Sequence, residues 1–490
     1  MTAIPHDPAD INVVSLARSM IRYDTSHDGE GADTLPLARM LASVWEHAGV
    51  PTETIPTPKP GNVHFLARIR GSGAAPPLLV LAHSDVVSVQ PDRWRSDPFG
   101  AEVRGGYLYG RGSLDMKGAG AAFMNALLRH VTEGAVFDRD IIYLADCDEE
   151  GGWHGTPWLV QNHWEKVAAG AVLTEGGWTL AQANGRTPML ASLSCLDRTF
   201  GAVRLTTEHV ATHSARPLPE AAITRLARVV ERVNRWRPGV MLTDLNRRYF
   251  TGLAAATTDE RLAEAVTALL AADSSESLAA AADAVVEYSP YPWLHNAMLR
   301  TTVAFVAQDG GRRANVIPAR ASVLLQIRFV PGAQTPRDVL AELQAVVGDD
   351  ATMSVVGPPY ETAEQTLARW ERDWSLAPSP TGTDVFTAWQ RAAQETFPGT
   401  PAVPAMFEAG TSGKPWHDRG VPVYGLYPYL VDQETMTRMH GDNERVRVAE
   451  LRRGADLMYR MFARFTTGSG TGPGRGLRAP RAPRTPQPPR

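Results

Sequence analysis

Five short stretches of this 490-residue chain concentrate histidine and carboxylate side chains of the kind that hold metal ions. They are LAHSDVV with His83 and Asp85, YGRGSLDMKG with Asp115, LADCDEEGG with Glu149 and Glu150, VLTEGG with Glu175, and RMHGDNERV with His440. Two apart on an extended chain, His83 and Asp85 project to the same side. The carboxylate can then orient an imidazole whose other nitrogen holds a metal. Adjacent residues on an extended chain diverge, so Glu149 and Glu150 can serve different purposes, one as ligand and one as proton acceptor. Taken singly, each stretch has an ordinary alternative: an incidental His-x-Asp triplet, a helix N-cap for Asp115, a solvated Glu-Glu turn, a surface histidine. Together they supply two imidazoles and three carboxylates, and a shared Asp115 gives each of two metals one histidine and two carboxylate contacts. Against the positive charge of two divalent ions, three carboxylates and one bridging hydroxide make a neutral inner shell. Oxygen and imidazole without thiolate suit zinc, with cobalt or manganese as alternatives. Paired ions roughly 3.5–4 Å apart polarise a carbonyl and acidify a shared water. Glu149, outside that shell, is the expected general base.

Such a cluster needs a scaffold that delivers its parts to one place. LLVLA (78–82), IIYLA (141–145) and AVL (171–173) are short, continuously apolar runs, each followed at once by polar residues. That pattern predicts strands buried on both faces of a parallel sheet. Between the first two, MKGAGAAFMNALLRHV carries apolar residues at helical spacing, giving a strand, crossover helix, strand unit and an α/β fold class. Each acidic or histidine cluster falls just past such a strand, where open α/β sheets place ligands. Beyond about residue 190 the texture changes to alternating segments, GAVRLTTE and ASVLLQIRF, among helical stretches. This predicts a smaller α+β lid with one sheet face covered. The expected division is a catalytic part over 1–193, a lid over 194–377 holding an alanine-rich helical insertion at about 257–286, and a second catalytic part over 378–466.

Composition sets outer limits. Lys and Arg number 49 against 53 Asp and Glu, but five of the arginines lie in the last 24 residues, which contain no acid; without them the remainder carries −9. An acidic body repels a phosphate backbone, so nucleic acid is not an expected partner, and the Pro/Gly/Arg tail at 467–490 is expected to be disordered. No apolar run approaches the ~20 residues of a bilayer span, so no membrane partner is expected either. Two cysteines make no disulfide framework, and the start lacks a secretory pattern, so a cytoplasmic setting is expected. Two further motifs fail on inspection. His209 and His213 are spaced i, i+4 like a helical zinc pair, but Val210 stands where the glutamate belongs and Pro217 and Pro219 follow closely. EAGTSGKPW is not a phosphate loop, because Glu408 replaces the first glycine and Pro415 follows Lys414.

In order and spacing, LAHSDVVSV, GRGSLDMKG, DCDEEGG, TEGG and the His440 loop resemble the dinuclear-zinc metallopeptidases that include aminoacylase, acetylornithine deacetylase, succinyl-diaminopimelate desuccinylase and bacterial glutamate carboxypeptidase. The resemblance implies that His83 and Glu175 bind one zinc, His440 and Glu150 the other, and that Asp115 bridges; Glu149 is the base and Asp85 supports the histidine. It also implies a cis peptide between Asp115 and Met116. HNAMLRTTVAFVAQDGGRRANVIPARASVLLQIRFVPG is similar to the lid of the carboxypeptidase S and N-fatty-acyl-amino-acid hydrolase branch. By that likeness Asn315 and Arg328 contact the substrate's carboxylate or backbone, the alternatives being a capped turn and a surface cation. His213 matches a lid histidine that stabilises an oxyanion, in several members across a dimer interface, although Thr212 replaces the usual glycine. Ser412 stands where the family's Gly-Thr-Asp loop has its acid. The implied protein is a homodimeric hydrolase of N-acyl amino acids or carboxy-terminal peptide bonds. The same site run in a biosynthetic direction, and a non-catalytic binding protein on this scaffold, are the alternatives.

Overall fold

The computed structural model describes residues 12–467 apart from positions 28, 30 and 333. The tail at 468–490 lies outside them. An eight-stranded sheet runs in the order Thr52–Pro56, Val63–Ile69, Ile141–Asp146, Leu78–His83, Ala171–Ala181, Val423–Val431, Pro188–Asp197, Ala402–Phe407. Its central pairings are parallel. The continuous apolarity of LLVLA has a direct cause: Leu79 and Leu81 pack on one face of the sheet, and Leu78, Val80 and Ala82 on the other. Alternate side chains of a strand face opposite ways, so a strand covered on both sides has no polar position to offer.

The crossover helix Lys117–Thr132 is buried at every position from Lys117 to Leu128. Small residues, Gly118, Ala119, Gly120, Ala121 and Ala122, let it approach the sheet closely; a Cβ on Gly120 would lie 3.2 Å from that of Ala82. Helices Val13–Ile21 and Val448–Phe462 pack against it. One strand differs from expectation. The apolar run at 171–173 continues as strand to Ala181, so Glu175 sits within a strand and not beyond its end. Glu175 and Gly176 form a bulge there, between the pairs Thr174–Gly425 and Gly177–Leu426, and pairing resumes past the glutamate.

A second, antiparallel sheet has the order Thr302–Asp309, Arg320–Phe329, Thr199–Glu208, Thr352–Val356. Val203, Leu205, Val323, Leu325 and Ile327 point to one face, where helices Ala222–Arg235, Pro336–Val347 and Ala363–Trp374 supply Leu226, Val229, Leu340, Leu343 and Trp370. The alanine-rich segment is helical, as Glu260–Ala271 and Ser275–Tyr288, yet it does not join this unit's core. With the flanking helices Asp244–Ala256 and Pro292–Leu299 it buries Tyr249, Phe250, Leu253, Leu262, Val266, Leu269, Val285 and Leu294 in the core of the large sheet. The chain therefore leaves the small sheet after Arg235, packs four helices at the Ala402–Phe407 edge of the large one, and returns at Thr302. Periodicity shows which face of a helix is apolar; it does not say which apolar surface will receive it.

Arg198 clamps the crossing. Its buried guanidinium donates to the carbonyls of Arg300, at 2.9 Å, Arg328 and Phe329, and to the Thr302 hydroxyl. Burial, reinforced by the charge of Arg328, pulls its pKa down to about 9. Among the described residues no helix is long and apolar enough to cross a membrane, and both cysteines are buried and free.

Candidate metal centre

His83 ends its strand with the imidazole buried. Nδ1–H donates to the backbone carbonyl of Asp85 at 2.9 Å, which turns Nε2 toward Asp115 Oδ1 at 3.0 Å and Glu175 Oε2 at 3.7 Å. Asp115 lies in the turn before the crossover helix, and its peptide bond to Met116 is cis. Its other oxygen, Oδ2, is 3.0 Å from His440 Nε2, which also lies 3.1 Å from Glu150 Oε1. Two groups of potential ligands result, His83–Asp115–Glu175 and Asp115–Glu150–His440, with the same aspartate in both. All five residues that the sequence singled out as ligands are thus together, and the donor set of imidazole and carboxylate fits a pair of hard-to-borderline divalent ions.

Four carboxylates, Asp115, Glu149, Glu150 and Glu175, are gathered in a buried site where burial and mutual repulsion oppose ionisation. Burial and the nearby Asp115 charge raise Glu175 to about 7. Burial and the charge of Glu175 push Glu149 well above the usual carboxylate range, and burial raises Glu150 as well. Asp115 goes the other way: against burial, hydrogen bonds from His440 and His83 hold it well below its ordinary value. Burial would lower His440, but the bonds to Asp115 and Glu150 outweigh it and raise it to about 11. Fully ionised, these four carboxylates would carry more negative charge than the two histidines neutralise, and divalent cations favour that ionised form.

Asp85 does more than face a histidine. Its oxygens accept the backbone N–H groups of Glu149, at 3.2 Å, and Glu150, at 2.8 Å, while Oδ1 stands 3.6 Å from His83 Nδ1. One buried carboxylate so holds the loop that carries both glutamates. The Glu149 side chain makes no hydrogen bond among the described residues and, with His83 and Glu150, forms another potential ligand group.

Residues inside the quoted stretches but outside the expected ligand set complete the frame. Glu444, fully buried, accepts the backbone N–H groups of Leu114 and Asp115 at 2.7 and 3.1 Å and pairs with Arg111 at 2.6 Å. Arg111 also donates to the carbonyl of His440 at 3.1 Å. This one ion pair ties the Asp115 turn to the His440 loop, 325 residues away in sequence. The only sequence signal for Glu444 is its place four residues after His440.

Of the remaining expected residues, Arg328 is half-buried and two are exposed. The Arg328 guanidinium lies over the Phe200 ring, 5.2 Å from its centre, and has no hydrogen-bond or ion-pair partner among the described residues. Burial lowers its pKa while the charges of Glu149, Asp197 and Glu408 act against that fall. His213 and Asn315 are neighbours on the two-stranded sheet Thr212–His213 with Val316–Ile317, where Ser214 N–H donates to the Asn315 carbonyl at 3.1 Å. Both are exposed, and neither contacts the ligand cluster of its own chain. Ser412 turns inward, donating to Asp146. His64 lies with Asp146 and Cys147 in a further potential group. Both of its nitrogens are engaged, with Asp146 at 3.2 Å and the His154 carbonyl at 2.8 Å, so it is a structural link behind the loop.

Residues 79–464 match the model of peptidase family M20/M25/M40. The chain is 27% identical over 391 residues, 79% of its length and 72% of the relative's, to an N-fatty-acyl-amino acid synthase/hydrolase of Xenopus tropicalis. It is 24% identical over 394 residues, 79% and 71%, to a probable carboxypeptidase S-like protein of Dictyostelium discoideum. In fold it is similar to a metallo-carboxypeptidase from Sulfolobus solfataricus, with a TM-score of 0.65 at 17% identity over 93% of this chain and 99% of that one. Human carnosine dipeptidase 1 gives 0.63 at 16% identity over 92% and 95%. With a shared-aspartate ligand cluster at the strand ends of such a fold and a family match over most of its length, this chain is a metallohydrolase of peptidase family M20/M25/M40.

Proposed function

We propose that the protein hydrolyses the amide bond of an N-acyl amino acid or of a carboxy-terminal residue at a two-zinc site. The observation that carries this reading is the sharing of Asp115 between two ligand groups, each with one histidine and one further glutamate. When bound, two divalent ions there supply Lewis-acid polarisation of the amide carbonyl and acidify an attacking water. The rest of the work falls to the chain. Glu149, free of hydrogen bonds and beside the cluster, takes the proton from water and returns it to the leaving amine. Its raised pKa suits both halves of that exchange. Asp85 keeps Glu149 and Glu150 in place through their backbone amides. Arg328, half-buried and without a hydrogen-bond or ion-pair partner for its guanidinium among the described residues, is a fitting anchor for the carboxylate of the amino-acid product.

The named activity of the Xenopus relative supports an acyl amino acid as substrate and also brings in the reverse condensation. An aqueous medium favours hydrolysis over condensation, and initial rates in both directions distinguish the two. His213 and Asn315, exposed and away from their own cluster, suit a homodimer in which each lid completes the neighbouring site. The direct test is a hydrolysis screen over N-acyl amino acids and dipeptides with zinc-loaded and chelator-stripped protein. Release of a free amine by the loaded protein alone is expected; no turnover of any member of either class would overturn the reading.

A further inference from the structure

Tyr427 belongs to none of the motifs described above, yet its hydroxyl reaches the centre of the site. It lies in the buried strand Val423–Val431, 2.9 Å from Asp115 Oδ1 and 2.7 Å from Glu175 Oε2. Those are the two oxygens that His83 Nε2 also approaches, so the phenol borders the pocket of one ion. An oxygen this close to two carboxylate oxygens must carry a proton, because an unprotonated phenolate would be repelled by both. The group is therefore a neutral donor, with one hydrogen to give to either partner.

The ring cannot easily withdraw that hydrogen. Tyr427 stacks on Trp178 with 4.3 Å between ring centres and 11° between planes. Trp178 is in turn held by its indole N–H, which donates to Glu408 at 2.9 Å. Tyr427 and Trp178 are 1% and 2% exposed. A phenol clamped in this way sets the rotation of the carboxylate it binds, and so decides which carboxylate oxygen is left for a cation.

We infer that Tyr427 is a positioning residue for one metal ion of the site, its hydroxyl donating to Glu175 or Asp115 and holding that carboxylate so that its remaining lone pairs converge with His83. This rests on the two-metal reading proposed above. The Asp115–Glu150–His440 group has no such donor from Tyr427 beyond the shared aspartate, so the effect falls mainly on the other ion.

Zinc titration calorimetry of chelator-stripped protein tests the inference. Tyr427→Phe keeps the ring and its stack and removes only the hydroxyl. It is expected to weaken one of two binding events by about 10- to 100-fold, the usual cost of losing a group that orients a metal ligand, and to alter the cobalt(II) absorption spectrum. Steady-state kinetics of the zinc-loaded variant should show a lower kcat with little change in KM. Tyr424→Phe is the control. That tyrosine is on the same strand, also buried, but its hydroxyl bonds Thr383 and Pro380 away from the cluster. Its zinc affinities should stay within about twofold of the original, since no ligand loses a donor. Unchanged binding in Tyr427→Phe, or an equal loss in Tyr424→Phe, overturns the positioning role while leaving the two-metal reading intact. Failure of the unsubstituted protein to take up two ions overturns both. Should Tyr427→Phe not fold, Trp178→Phe loosens the clamp but keeps the hydroxyl; a several-fold loss at the same ion supports the inference, and unaltered uptake overturns it.

Discussion

Glu149 and Asp115 are close neighbours with opposite expected behaviour. Glu149 is joined to the loop through its backbone and offers its carboxylate to the cleft. Glu149→Ala should retain both ions, measured by elemental analysis, and lose about 10² to 10⁴ in kcat, the usual cost of removing a general base. Near-normal turnover would assign the base elsewhere. Asp115 is in both ligand groups, so Asp115→Ala should reduce metal content below two ions per chain and abolish activity with it. Two tightly held zincs in that variant would refute bridging. Asp85 illustrates how far local reasoning reaches. Its two-residue spacing from His83 predicts a carboxylate that orients the imidazole; the backbone carbonyl of Asp85 makes the 2.9 Å contact to the ring, and the carboxylate's shorter contacts are to the amides of Glu149 and Glu150. A strand pattern predicts which side chains share a face, but not which loop will arrive opposite them.

Strand packing dictates the next scale. Glu175 can lie inside a strand only because the strand beside it approaches without a side chain: a Cβ on Gly425 would sit 1.9 Å from the Glu175 carbonyl oxygen. Gly425→Ala should therefore force the two central strands apart, costing about 1–3 kcal/mol or more by the usual scale of overpacking. Thermal unfolding and zinc uptake should both decline; unchanged values for both would contradict this account. On the helices docked at the far edge of the sheet, His295 is buried between the Tyr249 hydroxyl at 3.2 Å and the Ser289 hydroxyl at 2.7 Å. Burial pushes it down to about 3. The unfolded form titrates near 6.5, so between those values the unfolded chain holds a proton that the folded one does not. Stability is then complete above about pH 6.5 and falls as pH drops, by up to about 1.4 kcal/mol per pH unit from this group. His295→Gln removes that share. The stability gap between original and variant, measured by urea unfolding, should narrow from pH 7.5 to pH 5, and a constant gap would argue against a neutral buried histidine.

At the scale of the molecule, the homodimer proposed above assigns the oxyanion donor to the neighbouring chain. His213 is exposed on a two-stranded projection of the smaller sheet and touches none of its own chain's ligands. The alanine-rich helices, expected to enlarge the lid, pack instead on the large core, which leaves the lid's exposed strand Thr302–Asp309 uncovered by them. A homodimer that exchanges His213 predicts a specific complementation. Mixing inactive Glu149→Ala chains with inactive His213→Ala chains should restore about a quarter of the original activity, since half of randomly paired symmetric dimers are hybrids with one complete site each. No recovery despite demonstrated subunit exchange would place His213 in its own chain's site or outside the reaction.

The amino-acid sequence by itself determined the buried parallel strands, the crossover helix, and the identity of the five histidine and carboxylate residues that converge. Those features are local: continuous apolarity, helical spacing and the types of side chain just past strand ends are all written over a few consecutive residues. Only the tertiary structure decided that Glu175 lies within a strand, that four helices leave the small sheet for the large core, and that Glu444, Tyr427 and Trp178 frame the site. Each of these depends on what a residue meets across the fold. Glu444 is a common acid until it caps the Asp115 turn, and Tyr427 an ordinary core aromatic until its hydroxyl arrives between two carboxylates. Their roles arise from contacts spanning hundreds of residues, which no pattern within a short segment encodes.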